Sequence, residues 1–322
     1  MESKFFYILM TMVCSLLAGC REELCYNHFG AADISFEWSA DDHPGAPSPE
    51  GITVLVYDES GRPTEVFLSP SGGSVNFGEG GAHSMLLYNN DTESVIISGE
   101  SHGPLEVCAT STPGRRGVPA EFKELHPDEP VLSPPDMLYA AYITSIPDVG
   151  NHETAGIPID MKPLVFVYEV RYEFEYGFNR VTDARGAISG MSRWVYLYNG
   201  ATPTEAVTLV YDCKLDKGGI TATVLSFGTP GRAPEPSGQG GTGRTSHRHT
   251  LNLEVELTNG KTKEFNFDVT DQLVPQPKGG TIVVSNLRIE DNESGSNSGF
   301  DPDINDWDND VEIDLPVGGQ QK

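Results

Sequence analysis

Residues 165–174 read Val-Phe-Val-Tyr-Glu-Val-Arg-Tyr-Glu-Phe, and their period of two decides the fold class of the chain. From Tyr168 onward, aromatic or apolar residues alternate with charged ones. Because successive side chains of a strand point to opposite faces, Val170, Tyr172 and Phe174 would share one buried face, while the charged residues between them face water. The segment therefore predicts a β-strand that packs on one side.

The same alternation recurs on both sides of this strand. Residues 34–38 would place three large apolar side chains on one face, and hairpins are predicted at 52–68 and 251–269, where a Gly-containing turn separates apolar runs. The chain has 35 Gly and 23 Pro among 322 residues, which favours short strands joined by turns. Residues 182–192 are an exception, where a short helix or an irregular crossover is expected. The predicted fold class is all-β, with a sandwich architecture.

A Pro-rich segment marks the first change of composition along the chain. Residues 127–135 contain four prolines, which favour an extended, semi-rigid connector. We therefore expect an N-terminal β-sandwich over residues 31–126, a Pro-rich linker over 127–135, and a C-terminal β-sandwich with an acidic tail over 136–322. A last strand is expected at 311–315.

The N-terminus carries a leader of the lipoprotein type. The apolar run over residues 5–17 is too short to cross a bilayer, since a spanning helix takes about 20 residues. Residues 16–20, Leu-Leu-Ala-Gly-Cys, end the run and look like a bacterial lipobox. Residues 1–19 would then be a signal peptide, and Cys20 would carry acyl chains at the start of a tether over 20–30. An ordinary secretory signal that contains a cysteine is the alternative.

The three residues after the cysteine resemble an export signal. Arg21, Glu22 and Glu23 resemble the basic-then-acidic signal that exports lipoproteins of Bacteroidetes to the cell surface, although the usual pattern begins with Lys. The sequence therefore predicts a surface-exposed protein that is lipid-anchored in the cell outer membrane.

The net charge of the chain argues against one class of partner. It is −26 at pH 7, with a pI near 4.5. Such a surface repels phosphate backbones, so nucleic acid is not expected as a partner. The charge suits a protein at an exposed, crowded surface.

The cysteines leave two interpretations open. Once the leader is removed and Cys20 is lipidated, three cysteines remain, which is an odd number. Cys25 and Cys108 could form a disulfide if their Cα atoms come within about 7 Å. Three unpaired thiols, including Cys213, are the alternative. Their spacing indicates neither a metal site nor a redox motif.

Residues 301–312 place oxygen-bearing side chains at the spacing of a calcium loop. Asp301, Asp303, Asn305 and Glu312 match ligand positions of an EF-hand, but the position that needs glycine holds an aspartate. An acidic loop leading into the last strand is the preferred interpretation, so no metal site is assigned and calcium binding is the weaker alternative.

Other candidate sites have weaker support. His247 and His249 flank Arg248 beside a Gly-rich loop, and solvated polar residues are favoured because no third metal ligand is near in sequence. Residues 238–243 lack the Lys-Ser/Thr and the strand–helix context of a phosphate-binding loop. The aromatic run at 168–176 could form a sugar-binding platform, but its alternation favours core packing. We therefore expect no catalytic residues and no cofactor.

Five short motifs follow one another along the chain: Pro135-Asp136-Met137-Leu138-Tyr139, Ile188-Ser189-Gly190-Met191, Leu225-Ser226-Phe227-Gly228, Phe267-Asp268-Val269-Thr270-Asp271-Gln272-Leu273, and a block at 300–315 that contains Asp306-Trp307. With the lipobox, they resemble the fimbrillin-associated lipoproteins of Bacteroidetes, close to the fimbrial-anchor group and a related family of unknown function. The resemblance implies two tandem transthyretin-like, Greek-key β-sandwiches and a role in type V pili. It also implies fimbrial subunits as partners, through a strand of one subunit that fills a groove in the next.

The spacing of basic residues bears on the role within such a pilus. In the family that the chain resembles, stalk subunits lose their lipid when an Arg-specific protease removes the first strand. No Lys or Arg lies between Arg21 and Arg62, and Arg62 precedes Pro63, a bond that trypsin-like enzymes cut poorly. The strand at 34–38 would then stay in its own domain and fill its groove. We therefore expect a non-enzymatic anchor, minor tip component or adhesin, and the alternative is a glycan-binding surface lipoprotein of a polysaccharide-capture system.

Overall fold

The computed structural model describes residues 31–38, 49–77, 84–144, 146, 155–234 and 247–293. Within these residues, 55% belong to strands and 8% to helices, so the prediction of an all-β fold is confirmed. In the part of the chain that is described, no helix has both the length and the apolar character needed to cross a membrane.

The first half of the described chain forms ten strands, one short helix and a 3₁₀ turn. The strands are β1 (Ala31–Trp38), β2 (Ile52–Tyr57), β3 (Pro63–Leu68), β4 (Gly73–Asn76), β5 (Ser84–Asn89), β6 (Val95–Ser98), β7 (Cys108–Ser111), β8 (Val131–Leu132), β9 (Tyr139–Ile143) and β10 (Ala155–Pro163). The helix α1 spans Ala120–Leu125, and the 3₁₀ turn spans Glu100–His102.

The second half of the described chain also consists mainly of strands. Its strands are β11 (Phe166–Tyr176), β12 (Val181–Ser192), β13 (Trp194–Tyr196), β14 (Ala206–Asp212), β15 (Lys214–Asp216), β16 (Gly219–Ser226), β17 (Thr250–Leu257), β18 (Thr262–Asp268) and β19 (Gly280–Arg288). The helix α2 spans Thr270–Leu273, and 3₁₀ turns span Phe178–Arg180 and Asp291–Glu293.

A seven-stranded sheet in the order β3-β2-β5-β9-β10-β1-β4 dominates the first half. β10 joins its two parts, because residues 155–161 pair in parallel with β1, whereas Lys162 and Pro163 pair with β9. The sheet folds over at β10, since Ile34 of β1 and Val54 of β2 belong to the same buried cluster although their strands are far apart in the sheet. β2 is buried along its whole length, because its other face packs on a three-stranded sheet, β13-β7-β6.

The strand pairing differs from the expected division at residues 127–135. β9 and β10 follow the Pro-rich segment, yet they complete the first sheet. Within the segment, Val131 and Leu132 form β8, which pairs in parallel with β14 at the edge of a C-terminal sheet. β8 itself contains no proline, so the prolines on either side of it do not interrupt its pairing. The segment expected as a semi-rigid connector therefore contributes one short strand to a sheet, and the sheets do not follow the expected boundaries of 31–126 and 136–322.

A C-terminal sandwich packs the four-stranded sheet β15-β16-β11-β19 on the five-stranded sheet β18-β17-β12-β14-β8. β11 has the predicted one-sided burial, with Tyr168, Val170 and Tyr172 in the core and the charged residues between them exposed. The hydroxyls of Tyr172 and Tyr211 lie 2.9 Å apart between the two sheets. Burial raises the pKa of both tyrosines, so both hydroxyls stay protonated and satisfy each other in the core.

The expectation of a helix or crossover at residues 182–192 is wrong, because these residues belong to β12. This strand pairs with both β14 and β17 in the middle of its sheet. Its small residues allow close packing, since a Cβ at Gly186 would collide with the Tyr211 ring. Gly190 has a φ of 75° at an irregularity in the pairing, a conformation that glycine adopts without strain. Gly186 and Gly190, which interrupt the alternation typical of a strand, are therefore required by the packing around β12.

Candidate functional site

The first strand lies in its own sheet and is paired on both sides. Residues 31–34 pair antiparallel with β4, and residues 32–38 pair in parallel with β10. Ile34 is buried, and the ring of Trp38 packs edge-on against Tyr139 with 5.4 Å between centroids. β1 therefore holds a place inside a sheet, but its partner β10 follows the Pro-rich segment and lies outside the domain of residues 31–126 whose groove the strand was expected to fill. At residues 31–34, no free edge is left for a donated strand.

The basic residues that follow β1 do not offer a cut that would release it alone. Arg62 is exposed in the turn between β2 and β3, so cleavage there would remove β2 together with β1. Arg115 is exposed, but the Arg116 guanidinium is held by the Asp212 carboxylate at 2.8 Å and by the carbonyl of Tyr211. The described residues therefore agree with a β1 that stays in the fold.

The outer edge of β3 is a candidate pairing surface. β3 ends the seven-stranded sheet on the side opposite to β4. Phe67 in this strand is 66% exposed, more than any other large hydrophobic residue in the described part of the chain. An edge strand with an exposed aromatic side chain is a template for pairing with another chain.

The edge of β19 is closed by two side chains. The Gln272 amide donates to the Val283 carbonyl at 3.0 Å and accepts from the Val283 N–H at 2.9 Å. The Gln276 amide does the same for Thr281, at 3.2 and 2.9 Å. Gln272 lies in α2 and Gln276 lies three residues after its end, and their amides reach alternate residues of β19. The two amides thus take the place of a neighbouring strand.

A buried polar network attaches the Pro-rich segment to the C-terminal sandwich. Glu129 Oε2 accepts hydrogen bonds from the Gly190 N–H at 3.1 Å and the Thr208 hydroxyl at 2.9 Å. Glu129 Oε1 lies 3.5 Å from His126 Nδ1, and His126 Nε2 lies 3.1 Å from Ser189 Oγ. Desolvation lowers the pKa of His126, which favours a neutral ring. This order of groups resembles a hydrolase triad, but Ser189 has no exposed surface and cannot meet a substrate.

Most residues with an expected role at the two ends of the chain lie outside the described residues. These are Cys20, Arg21, Glu22, Glu23, Cys25, Asp301, Asp303, Asn305 and Glu312. Lipidation, surface export, the disulfide between Cys25 and Cys108, and calcium binding therefore stay predictions. Within the described ranges, no group of three or more His, Cys, Asp or Glu side chains could hold a metal ion.

The two described cysteines have different surroundings. Cys108 is half-buried on β7, with its Sγ 3.3 Å from the Ser98 hydroxyl. Burial raises the pKa of Cys213 to about 12, so this thiol stays protonated and unreactive.

The expectation of solvated polar histidines is wrong for His249. Its side chain has no exposed surface, and among the described residues neither ring nitrogen makes a hydrogen bond of normal geometry. Gly190 makes room for the ring, because a Cβ there would lie 2.7 Å from Nδ1. Desolvation lowers the pKa of His249, so the ring is neutral near pH 7.

The aromatic run on β11 does not form an exposed platform. Tyr168 and Tyr172 are buried, which confirms the prediction of core packing for these two residues. Tyr176 is 40% exposed, but Arg180 lies over its ring and its hydroxyl donates to Asp291 at 2.7 Å. A row of exposed rings would have favoured glycan binding at this strand, and the described residues of β11 do not provide one.

Comparison with known proteins gives a family and a curated relative. A family model described as "Domain of unknown function (DUF5119)" matches residues 19–212. A protein described as the fimbrium anchoring subunit Fim4B of Bacteroides ovatus is 24% identical over 292 residues, which cover 87% of this chain and 83% of the relative. The similarity to fimbrial-anchor proteins and to a related family of unknown function, expected from the motifs, is confirmed.

Two solved structures are similar to the chain. The crystal structure of a protein described as an adhesin from Bacteroides ovatus matches with a TM-score of 0.60 and 22% identity, covering 85% of this chain and 97% of that chain. The fimbrial anchor protein Mfa2 from Porphyromonas gingivalis matches with a TM-score of 0.49 and 10% identity, covering 79% of this chain and 90% of that chain. The match to the adhesin from Bacteroides ovatus shows that the two proteins have a common fold.

Proposed function

The chain belongs to the family of the domain of unknown function DUF5119, and on this premise we propose that it is a non-enzymatic fimbrial subunit that works as an anchor, a minor tip component or an adhesin. Support comes from the relative described as a fimbrium anchoring subunit, which is similar over most of both chains. In this proposal, acyl chains on Cys20 hold the protein at the outer membrane, and its sheets face the cell exterior.

The position of β1 is the single observation that carries the anchor role. A subunit that polymerises by accepting a strand needs a vacant groove, whereas β1 already pairs with β4 and β10. Because no Lys or Arg lies between Arg21 and Arg62, an Arg-specific protease cannot remove β1 and leave β2. A subunit whose first strand stays in place has no vacant groove at β1, which favours an anchor over a polymerising stalk subunit.

The lipid attachment is tested by substitution of Cys20. The Cys20→Ala variant should lose labelling by a palmitate analogue and leave the membrane fraction, because the thiol is the proposed acylation site. Cys108→Ala, which removes a half-buried thiol on β7, is the matched control and should label normally. Unchanged labelling of Cys20→Ala would end the lipoprotein assignment.

Surface exposure is tested separately from lipidation. Replacing Arg21, Glu22 and Glu23 with alanine should keep the label but protect the protein from a protease added to intact cells. Equal digestion of the variant and the natural protein would contradict the export role of these residues.

Association with fimbriae is tested by truncation of the C-terminus. Deleting residues 309–322 should abolish incorporation into fimbriae and leave membrane attachment intact, if this segment is the donated strand. Recovery of the natural protein from cells as long polymers that lack residues 20–50 would instead identify a stalk subunit.

A further inference from the structure

A cleft of about 740 Å³ lies where the seven-stranded sheet meets the C-terminal sandwich. β9 and β10 form one wall, and residues 197–200, Phe166 and Arg232 form the other. Its size falls within the range of ligand pockets, about 300–1,000 Å³. It is separate from the strand edges and from the Glu129 network, so the roles proposed above do not account for it.

Arg232 is held in this cleft by main-chain carbonyls. Its Nε and Nη2 donate to the Gly200 carbonyl at 3.2 and 2.6 Å, and its Nη1 donates to the Phe227 carbonyl at 3.0 Å. The guanidinium also lies 4.6 Å from the centroid of the Phe166 ring. The main chain at Arg232 is fixed as well, because it exchanges hydrogen bonds with Thr202 in both directions. The cation is therefore preorganised before any ligand arrives.

In the described part of the chain, the charge on Arg232 has no counter-ion. No carboxylate in the described residues lies within 4.0 Å of its guanidinium, and desolvation lowers its pKa to about 10, which still leaves it charged at pH 7. Buried charges in proteins are normally paired. Of the five N–H donors of a guanidinium, three are used by the carbonyls, which leaves one on Nη1 and one on Nη2. Two adjacent free donors suit a carboxylate.

The other lining residues narrow the chemistry of the ligand. Lys162, on the exposed face of β10, and Lys278 add two cations to Arg232, and Asp160 adds one carboxylate, so the charged residues of the lining are mainly basic in a chain whose net charge is −26. Tyr142 and Tyr198 line the cleft and pack edge-to-face with 6.0 Å between centroids. Tyrosine rings offer a flat apolar face together with a polar hydroxyl, and the side-chain amide of Asn199 adds further polar groups. The cleft thus joins a carboxylate receptor to a surface for a flat, hydroxyl-rich ring.

We propose that this cleft binds a carboxylated sugar, with the carboxylate on the two free N–H groups of Arg232 and the sugar ring against Tyr142 and Tyr198. Lys162 adds attraction at the mouth of the cleft. Such a site would give a fimbrial subunit a means of recognising acidic glycans.

Calorimetric titration of the full-length protein in detergent tests this proposal. Glucuronate should bind, whereas glucose, which lacks the carboxylate, and acetate, which lacks the ring, should each bind at least about tenfold more weakly. Arg232→Lys keeps the charge but loses the paired donors, and it should weaken glucuronate binding about tenfold. Lys162→Gln should weaken it by a smaller factor, and Lys217→Gln, an exposed lysine outside the cleft, should leave it unchanged.

Each contrary result overturns a stated part of the proposal. Glucose binding as tightly as glucuronate would remove the role of the carboxylate, and acetate binding as tightly would remove the role of the ring. Unchanged affinity of a folded Arg232→Lys variant, judged by its circular dichroism, would exclude Arg232 as the receptor. If that variant does not fold, unchanged affinity of Lys162→Gln would reject the site.

Discussion

Replacing Glu129 with alanine should strongly destabilise the C-terminal sandwich, because the carboxylate satisfies buried groups on two strands. Its Oε2 accepts from the Gly190 N–H on β12 and the Thr208 hydroxyl on β14. The Glu129 side chain is only 12% exposed, so water cannot easily replace it. Both donors belong to buried residues and would be left without this acceptor.

The magnitude follows from the number of donors that lose their acceptor. A buried polar group without a partner costs about 1–3 kcal/mol, so two such groups give an expected loss of about 2–6 kcal/mol in the free energy of unfolding. Glu129→Gln keeps one side-chain oxygen as an acceptor, and it should cost about 1–2 kcal/mol. The expected order of stability is therefore natural protein, then glutamine, then alanine.

Urea unfolding followed by tryptophan fluorescence and circular dichroism measures these differences. A shift of the midpoint at constant slope reports the change in stability. Glu124→Ala, an exposed glutamate on the neighbouring helix α1, is the matched control and should stay within about 0.5 kcal/mol of the natural protein. A similarly small change for Glu129→Ala, or equal losses for alanine and glutamine, would refute the reasoning.

Three further substitutions test other parts of the structure. His249→Leu should reduce the loss of stability at acid pH, because burial lowers the pKa of His249 in the folded protein. Below about pH 6.5 the unfolded chain binds a proton at this histidine and the folded chain does not, so the natural protein loses stability as the pH falls below that value. An unchanged difference between urea midpoints at about pH 7.5 and 5.5 would contradict this. Gly190→Ala should cost about 2 kcal/mol or more in thermal or urea unfolding, since φ is 75° and the new Cβ would crowd the His249 ring, whereas Gly218→Ala, with open space around it, should have little effect. Replacing both Gln272 and Gln276 with alanine should open the edge of β19 and produce higher-order species in light scattering, and a variant that stays monomeric at the same concentration would contradict their role.

Local alternation predicted the strands well where only one face is buried. β11 matched its prediction because Tyr168, Val170 and Tyr172 alternate with charges, as one-sided burial demands. β12 was missed because it is buried on both faces from residue 186 onward and is built from small residues, so it shows no alternation. Local patterns carry no information about packing of that kind.

The sequence did not predict which distant strands pair with each other. β1 pairs in parallel with β10, more than 100 residues away, and nothing in either segment specifies that partner. The Pro-rich segment suggested a boundary because proline is rare in sheets, but Val131 and Leu132 lie between its prolines and form β8 at a sheet edge. The burial of His249 likewise depends on Gly190, which is distant in sequence.

The two-sided pairing of β1 has a mechanical consequence. If the chain is tethered at Cys20, β1 is the described strand nearest to the tether, and a pull can load it along its own axis. Hydrogen bonds of a sheet lie across the strands, so this load shears the rows toward β4 and β10 together rather than opening them one after another. The strand nearest the proposed tether is therefore placed to resist a pulling force between the membrane and the rest of the protein.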